Sequence, residues 1–184
     1  MTSGGRRIPK YYWDACVFLS GIEETLDRRP IIENILEDCE NGNVEIYTSL
    51  LTVCEVAFAK AEKDRKVLDP DIERKIDRLW SPPSPVKLVE IDQLTVLDAR
   101  DLIRETVPYE CILKPPDAIH LVSAKRMGVT EFHTYDDKLG KFSEMMGYRI
   151  RKPHTDKFVF LAEDAEDRDI RFSSGENQGE MNEQ

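Results

Sequence analysis

Residues 11–22 read YYWDACVFLSGI, an aromatic, strand-like run that passes at Asp14 directly into an apolar, helix-like one. Asp14 is the only charge between Lys10 and Glu23, in a chain of 184 residues of which 34% are charged. The same transition recurs downstream. VEIYT (44–48) leads into SLLTVCEVAFAKAEK, and VKLVEI (86–91) leads into DQLTVLDARDLIRET. PPDAIHLVSAKRMG then reads as a helix, with prolines in its first turn and Gly128 at its end, where each residue suits the backbone. TEFHT (130–134) reads as a strand, DDKLGKFSEMMG as a helix and YRI as a last short strand; further helices fit 30–40 and 70–80. Parallel strands need crossover connections, so this alternation predicts an α/β fold: a three-layer α/β/α sandwich with a mainly parallel central sheet.

Composition narrows the class. A hydrophobic share of 40% suits one globular domain with a real core. No apolar run approaches the roughly 20 residues of a membrane helix, and the N-terminus lacks the apolar core of a secretion signal, so a cytoplasmic protein is expected. Cys16, Cys39, Cys54 and Cys111 form no CxxC pair and sit mostly among apolar neighbours, which predicts reduced, buried thiols. His120, His133 and His154 lack zinc-ligand spacing. The net charge of −10 looks hostile to nucleic acid, but it is uneven: residues 155–184 hold −6, leaving −4 on the first 154. The expected organisation is a flexible leader (1–8), a folded domain (9–154) and an acidic, largely disordered tail (155–184).

Asp14 has company. Glu55 is the only charge in YTSLLTVCEVAFA (47–59), and Asp117 is the only one between Lys114 and Lys125. A carboxylate among apolar groups is costly unless paired, hydrogen-bonded or metal-bound. Asp14 follows its strand directly, Asp136 follows TEFHT by one residue, Asp117 opens a helix, and Glu55 lies within two turns of a helix start. In a parallel sheet every strand-to-helix turn lies at the carboxyl edge, so four acids are expected to meet at one crevice. The plainer alternative is helix capping, which suits Asp14, Asp117 and Asp136 taken singly. It does not suit Glu55, read here as mid-helix, for which the alternative is a buried salt bridge. Converging carboxylates share protons or bind a cation, and oxygen donors favour magnesium or manganese over zinc. Such a cation can activate water and neutralise a phosphoryl oxygen, which predicts phosphodiester hydrolysis.

These stretches, YYWDACVFLSGI, TSLLTVCEV, KPPDAIHLVSAKRMG and FHTYDDKL, resemble in order and spacing the four acidic motifs of the PIN domain, particularly its VapC toxin branch. The resemblance covers about residues 9–152. It implies a Mg2+- or Mn2+-dependent endoribonuclease in which Asp14, Glu55, Asp117 and Asp136 are the catalytic, metal-holding acids, with Thr134 as the hydroxyl accompanying the fourth. It also implies an RNA substrate, an antitoxin protein as partner and a homodimer. Asp137 and His120 stand beside the site. For His120 a satisfied, partly buried histidine is the plainer alternative to a general base. Lys114, Lys125, Arg126, Lys138 and Lys141 flank the last two motifs and are either phosphate-steering or merely solvated. Tyr12 and Trp13 are expected in the core strand. Two other readings stay open: a PIN module that binds RNA or protein without cutting, and a PIN nuclease outside any toxin–antitoxin pair. A phosphotransfer enzyme with a nucleophilic aspartate fits less well, because Cys16 stands where that chemistry puts a second acid.

Overall fold

β1 (Lys10–Trp13) is the centre of a five-stranded sheet in which every pairing is parallel. The computed structural model describes residues 7–23, 25–108 and 112–155. The expected leader and tail therefore lie, but for residues 7, 8 and 155, outside the described residues. The other strands are β2 (Glu45–Ser49), β3 (Val86–Val89), β4 (Glu131–His133) and β5 (Arg149–Arg151), in the order β3-β2-β1-β4-β5. Helices α1 (Ala15–Ile22), α2 (Arg29–Glu40), α3 (Leu50–Glu55), α4 (Lys60–Arg65), α5 (Pro70–Trp80), α6 (Gln93–Thr106), α7 (Pro115–Met127) and α8 (Ser143–Met146) supply the crossovers.

Alternation along the strands builds two cores. Tyr12, paired with Phe132, faces a cluster completed by Leu102 of α6, Leu121 of α7 and Met146 of α8. Trp13, one residue on, faces the opposite cluster, with Val17 and Phe18 of α1, Ile32 and Ile35 of α2 and Ile76 of α5. A two-residue side-chain period on a sheet covered on both faces produces this result, and the α/β/α sandwich is as expected. Tyr12 and Trp13 are both fully buried.

Three local readings need correction. SLLTVCEVAFAKAEK is not one helix: α3 ends at Glu55, and α4 begins at Lys60. The cause is Glu62, whose buried carboxylate accepts the backbone N–H of Ala59 at 2.8 Å and of Asp69 at 2.7 Å, capping a fresh helix. Glu55 is therefore the last helical residue of α3 and not a mid-helix one. DDKLGKFSEMMG likewise contains only a single 3₁₀ turn (Gly140–Phe142) followed by the short α8. Finally, Cys54 is exposed and Cys16 and Cys39 are half-buried free thiols, so the expectation of buried thiols fails for Cys54; Cys111 lies outside the described residues.

Leu121 is fully buried between the sheet and α6, whereas Leu94 on α6 is 58% exposed. Leu121→Ala is expected to cost about 2–5 kcal/mol in chemical denaturation through lost transfer energy and a cavity. Leu94→Ala should shift stability by no more than about 0.5 kcal/mol.

Candidate functional site

The chain lays down β1, β2 and β3 outward in one direction, then returns to add β4 and β5 on the other side of β1. Such a reversal opens a crevice at the carboxyl ends of the two strands flanking it. Those strands are β1 and β4, and the residues that follow them are Asp14 and Thr134. The pairing continues one step beyond the strands, because the Asp14 N–H donates to the His133 carbonyl at 3.3 Å.

At this edge the side chains form a chain of hydrogen bonds. The Asp136 N–H donates to Thr134 Oγ1 at 2.9 Å, and Thr134 Oγ1 donates to Asp14 Oδ2 at 2.5 Å. The other oxygen, Asp14 Oδ1, accepts from the Cys16 N–H at 3.0 Å and from Cys16 Sγ at 2.7 Å. The first of these caps α1, so capping and membership of the edge are the same conformation of Asp14. Burial lifts the Asp14 carboxyl above the ordinary range, and the bonds from Cys16 and Thr134 offset only part of that. Burial likewise pushes the Cys16 thiol up to about 12, helped by the neighbouring Asp14 charge, so it stays a donor.

Glu55 and Asp117 come from the far side of β1. Glu55 Oε2 lies 2.7 Å from His120 Nε2, and an ionised carboxylate only accepts, which puts the imidazole proton on Nε2. His120 Nδ1 lies 2.8 Å from the Tyr12 hydroxyl, which itself accepts the Ser49 N–H at 2.9 Å and so has its proton free to donate to Nδ1. Both ring nitrogens are thus occupied, and the buried His120 orients Glu55. Asp117, half-buried in the first turn of α7, makes no capping bond in the described structure, where Lys114 occupies the N-cap position. Its carboxyl is raised by burial and then by the charge of Asp136, with Lys114 opposing and Glu55 adding. Asp136 is exposed, and its Oδ1 accepts the Lys138 N–H at 2.9 Å, closing a turn. Asp137 points elsewhere, 3.0 Å from Lys152 Nζ. Arg126 is engaged by Asp92 and Asp98 at the opposite end of α7 from Asp117.

The donor set suits a hard divalent cation. Among the described residues no cationic group lies within ion-pair distance of Asp14, Asp117 or Asp136, so these carboxylates lack the compensation that burial and mutual repulsion call for. Among the described residues, the one set of three ligand-type side chains with mutually close ligand atoms, within 4.8 Å, is Glu131, His133 and His154. That cluster is already satisfied without a metal. Trp13 Nε1, which can only donate, lies 3.0 Å from His133 Nδ1, so Nε2 carries the His133 proton and has no lone pair for an ion. The same Nε2 faces Glu131 Oε2 at 3.1 Å, and Arg151 grips Glu131 through two nitrogens at 2.7 and 2.9 Å. Burial opposes Glu131 ionisation, but the bonds from His133 and Arg151 outweigh it and hold the carboxyl down to about 2. At the acidic edge, by contrast, a cation keeping part of its water shell fits, as magnesium commonly does with one or two carboxylates.

Sequence reading missed Cys16, Tyr12 and Ser49 as parts of this edge. The two-residue spacing from Asp14 to Cys16, matching a cap and its second helical residue, was the available signal for the first. Ser49 and Tyr12 carry no such local mark, since β2, β1 and α7 meet only in the fold.

Raised carboxyls make the edge pH-sensitive. Between the ordinary carboxylate range and the raised values, the folded metal-free chain keeps protons that the unfolded chain has released, so stability falls as pH rises through that window. Asp14→Asn removes this contribution. Thermal unfolding of the metal-free protein and of the variant should show Asn gaining relative to Asp as pH rises from about 3.5 to neutrality; a difference independent of pH would contradict the assignment.

The PIN domain family model matches residues 11–145. No curated protein matches the chain in sequence. Solved structures share its architecture at low identity. VapBC2 of Rickettsia felis, determined bound to a promoter DNA fragment, has a chain 14% identical, with a TM-score of 0.58 over 78% of this chain and 98% of that one. FitAcB of Neisseria gonorrhoeae aligns at 13% identity and a TM-score of 0.55, covering 78% of this chain and 97% of that one. VapC20 of Mycobacterium tuberculosis, a toxin that cleaves the sarcin–ricin loop, aligns at 10% identity and a TM-score of 0.52, covering 71% and 93%. With β1 and β4 joined at the acidic edge and the family's model spanning all four acids, the chain belongs to the PIN domain family.

Proposed function

We propose that the chain is a metal-dependent endoribonuclease that hydrolyses RNA phosphodiester bonds, acting as the toxin of a VapBC-type pair. The observation that carries the reading is Asp14: a buried carboxylate with no cationic partner among the described residues, at the switch point of a PIN fold, on an edge shared with Asp117, Asp136 and Glu55. Likeness to the VapBC and FitAcB structures supports the toxin role and an antitoxin partner. Self-association into a homodimer belongs to the same reading.

Asp14, Glu55, Asp117 and Asp136 would hold Mg2+ or Mn2+, which supplies a polarised phosphoryl oxygen and an acidified water. The chain's own part is positional. Thr134 and Cys16 fix both oxygens of Asp14; Cys16 fills both acceptor sites of Oδ1, so Oδ2 is the oxygen that keeps a lone pair for a cation. His120, held by Tyr12, keeps Glu55 turned to the edge and has no free nitrogen to act as a base. Asp117 and Asp136, already repelling one another, would gain most from a bound cation.

Asp14→Asn and Asp117→Asn should each abolish Mn2+-dependent cleavage of a labelled RNA while circular dichroism stays unchanged. In the parent, millimolar Mn2+ should raise the unfolding temperature by mass action on the folded state, and both variants should lose that increment. Cleavage at the parent rate by both variants would reject the site. Metal-induced stabilisation without any RNA cleavage would instead favour a PIN module that binds without cutting.

A further inference from the structure

We propose that Arg28 is a substrate-binding residue of this site, its guanidinium held over Tyr135 to receive a backbone phosphate of single-stranded nucleic acid entering the acidic edge. The inference rests on the reading of that edge as a phosphodiester site. Tyr135 lies between Thr134 and Asp136, and its backbone N–H donates to Cys16 Sγ at 3.0 Å, so its ring moves with the residues that hold Asp14. Arg28 Cζ sits 4.1 Å from the centre of that ring. This distance is that of a stacked guanidinium, an arrangement worth about 0.5–1 kcal/mol at exposed sites and more where water is excluded.

The second restraint is polar. Arg28 Nη1 donates to Ser20 Oγ at 3.1 Å, and Ser20 Oγ donates to the Cys16 carbonyl at 2.8 Å. Arg28 is therefore anchored twice to the segment that carries Cys16, once through Tyr135 and once through Ser20. It is the residue before α2, the helix that returns the chain to the start of β2, which brings its backbone to the carboxyl end of the sheet.

The anchoring leaves the guanidinium's charge unspent. Of its five N–H donors, the described structure engages one, and among the described residues no carboxylate lies within ion-pair distance. Arg29, its neighbour, is instead committed to Glu33 at 2.7 Å. A half-buried arginine that is stacked, oriented and unpaired matches the fork geometry of a phosphate. Tyr135, on which the guanidinium lies, adjoins Asp136, so a nucleic acid approaching Asp117 and Asp136 meets an oriented positive group at Arg28. A purely structural strut would have used the donors on protein acceptors.

Binding of a fluorescein-labelled single-stranded RNA, followed by anisotropy over a range of KCl concentrations, tests this on the full chain. The Asp136→Asn background prevents turnover in every sample. Adding Arg28→Ala should weaken binding about tenfold or more and flatten the log–log salt slope by about 0.7, as expected for one lost phosphate contact on a single strand. Arg28→Lys keeps the charge without the fork and should restore the slope with only part of the affinity. Equal affinity and slope in the Ala variant would overturn the proposal, as would absence of RNA binding by the Asp136→Asn protein. A weaker affinity with an unchanged slope would also overturn it, marking a structural role. Whether the parent cleaves RNA with Mn2+ is read separately and decides the nuclease assignment independently.

Discussion

The site hangs on one contact across the middle of the sheet, the hydroxyl of Thr134 donating to the carboxylate of Asp14 at 2.5 Å. It joins the ends of β1 and β4, strands that are 120 positions apart in the chain yet adjacent in the sheet. Trp13 and His133, one residue earlier on each strand, are buried beneath it and fix the register. A slip of one residue would turn Trp13 toward the wrong core and part the two edge residues together. Packing on both faces thus protects the geometry of the edge without touching the acids themselves.

Two nearby clusters of ionisable groups show how differently one fold can treat them. Glu131 is paired on every side, by His133 and by both nitrogens of the Arg151 fork, and its carboxyl is held down to about 2. Among the described residues Asp14 and Asp117 are buried or crowded without a cationic neighbour close enough to pair, and their carboxyls are pushed up. Only the second arrangement leaves an electrostatic debt that an added cation can settle. The Glu131 cluster has the shorter distances and the histidines, but Trp13 has already taken the lone pair a metal would need. Proximity of ligand types is therefore a poorer guide than the protonation each partner imposes.

Much of the fold was legible because its signals are local. Pro115 and Pro116 opening α7, Gly128 in the left-handed conformation closing it and Asp14 capping α1 are each decided within a few residues. The readings that failed turned on capping and exposure, which hydrophobic periodicity does not register. Glu62 captured the Ala59 and Asp69 N–H groups and split an apparent helix in two, moving Glu55 from a helix interior to a helix end. Cys54, between Val53 and Glu55 in sequence, faces solvent, because a six-residue helix does not bury its whole circumference.

The sequence alone determined which residues could matter: isolated acids in apolar runs are conspicuous because desolvation makes each one expensive. It also determined the layering, since strand and helix periods alternate plainly along the chain. Which of those acids share an edge, and what holds each of them, was decided only by the tertiary structure. Strand order 3-2-1-4-5 is a property of how β4 returns beside β1, and no local pattern encodes that return. The partners follow from it: Tyr12 reaching His120, His120 reaching Glu55, and Arg28 lying over Tyr135 are contacts between segments that chain connectivity leaves far apart and that packing alone brings together.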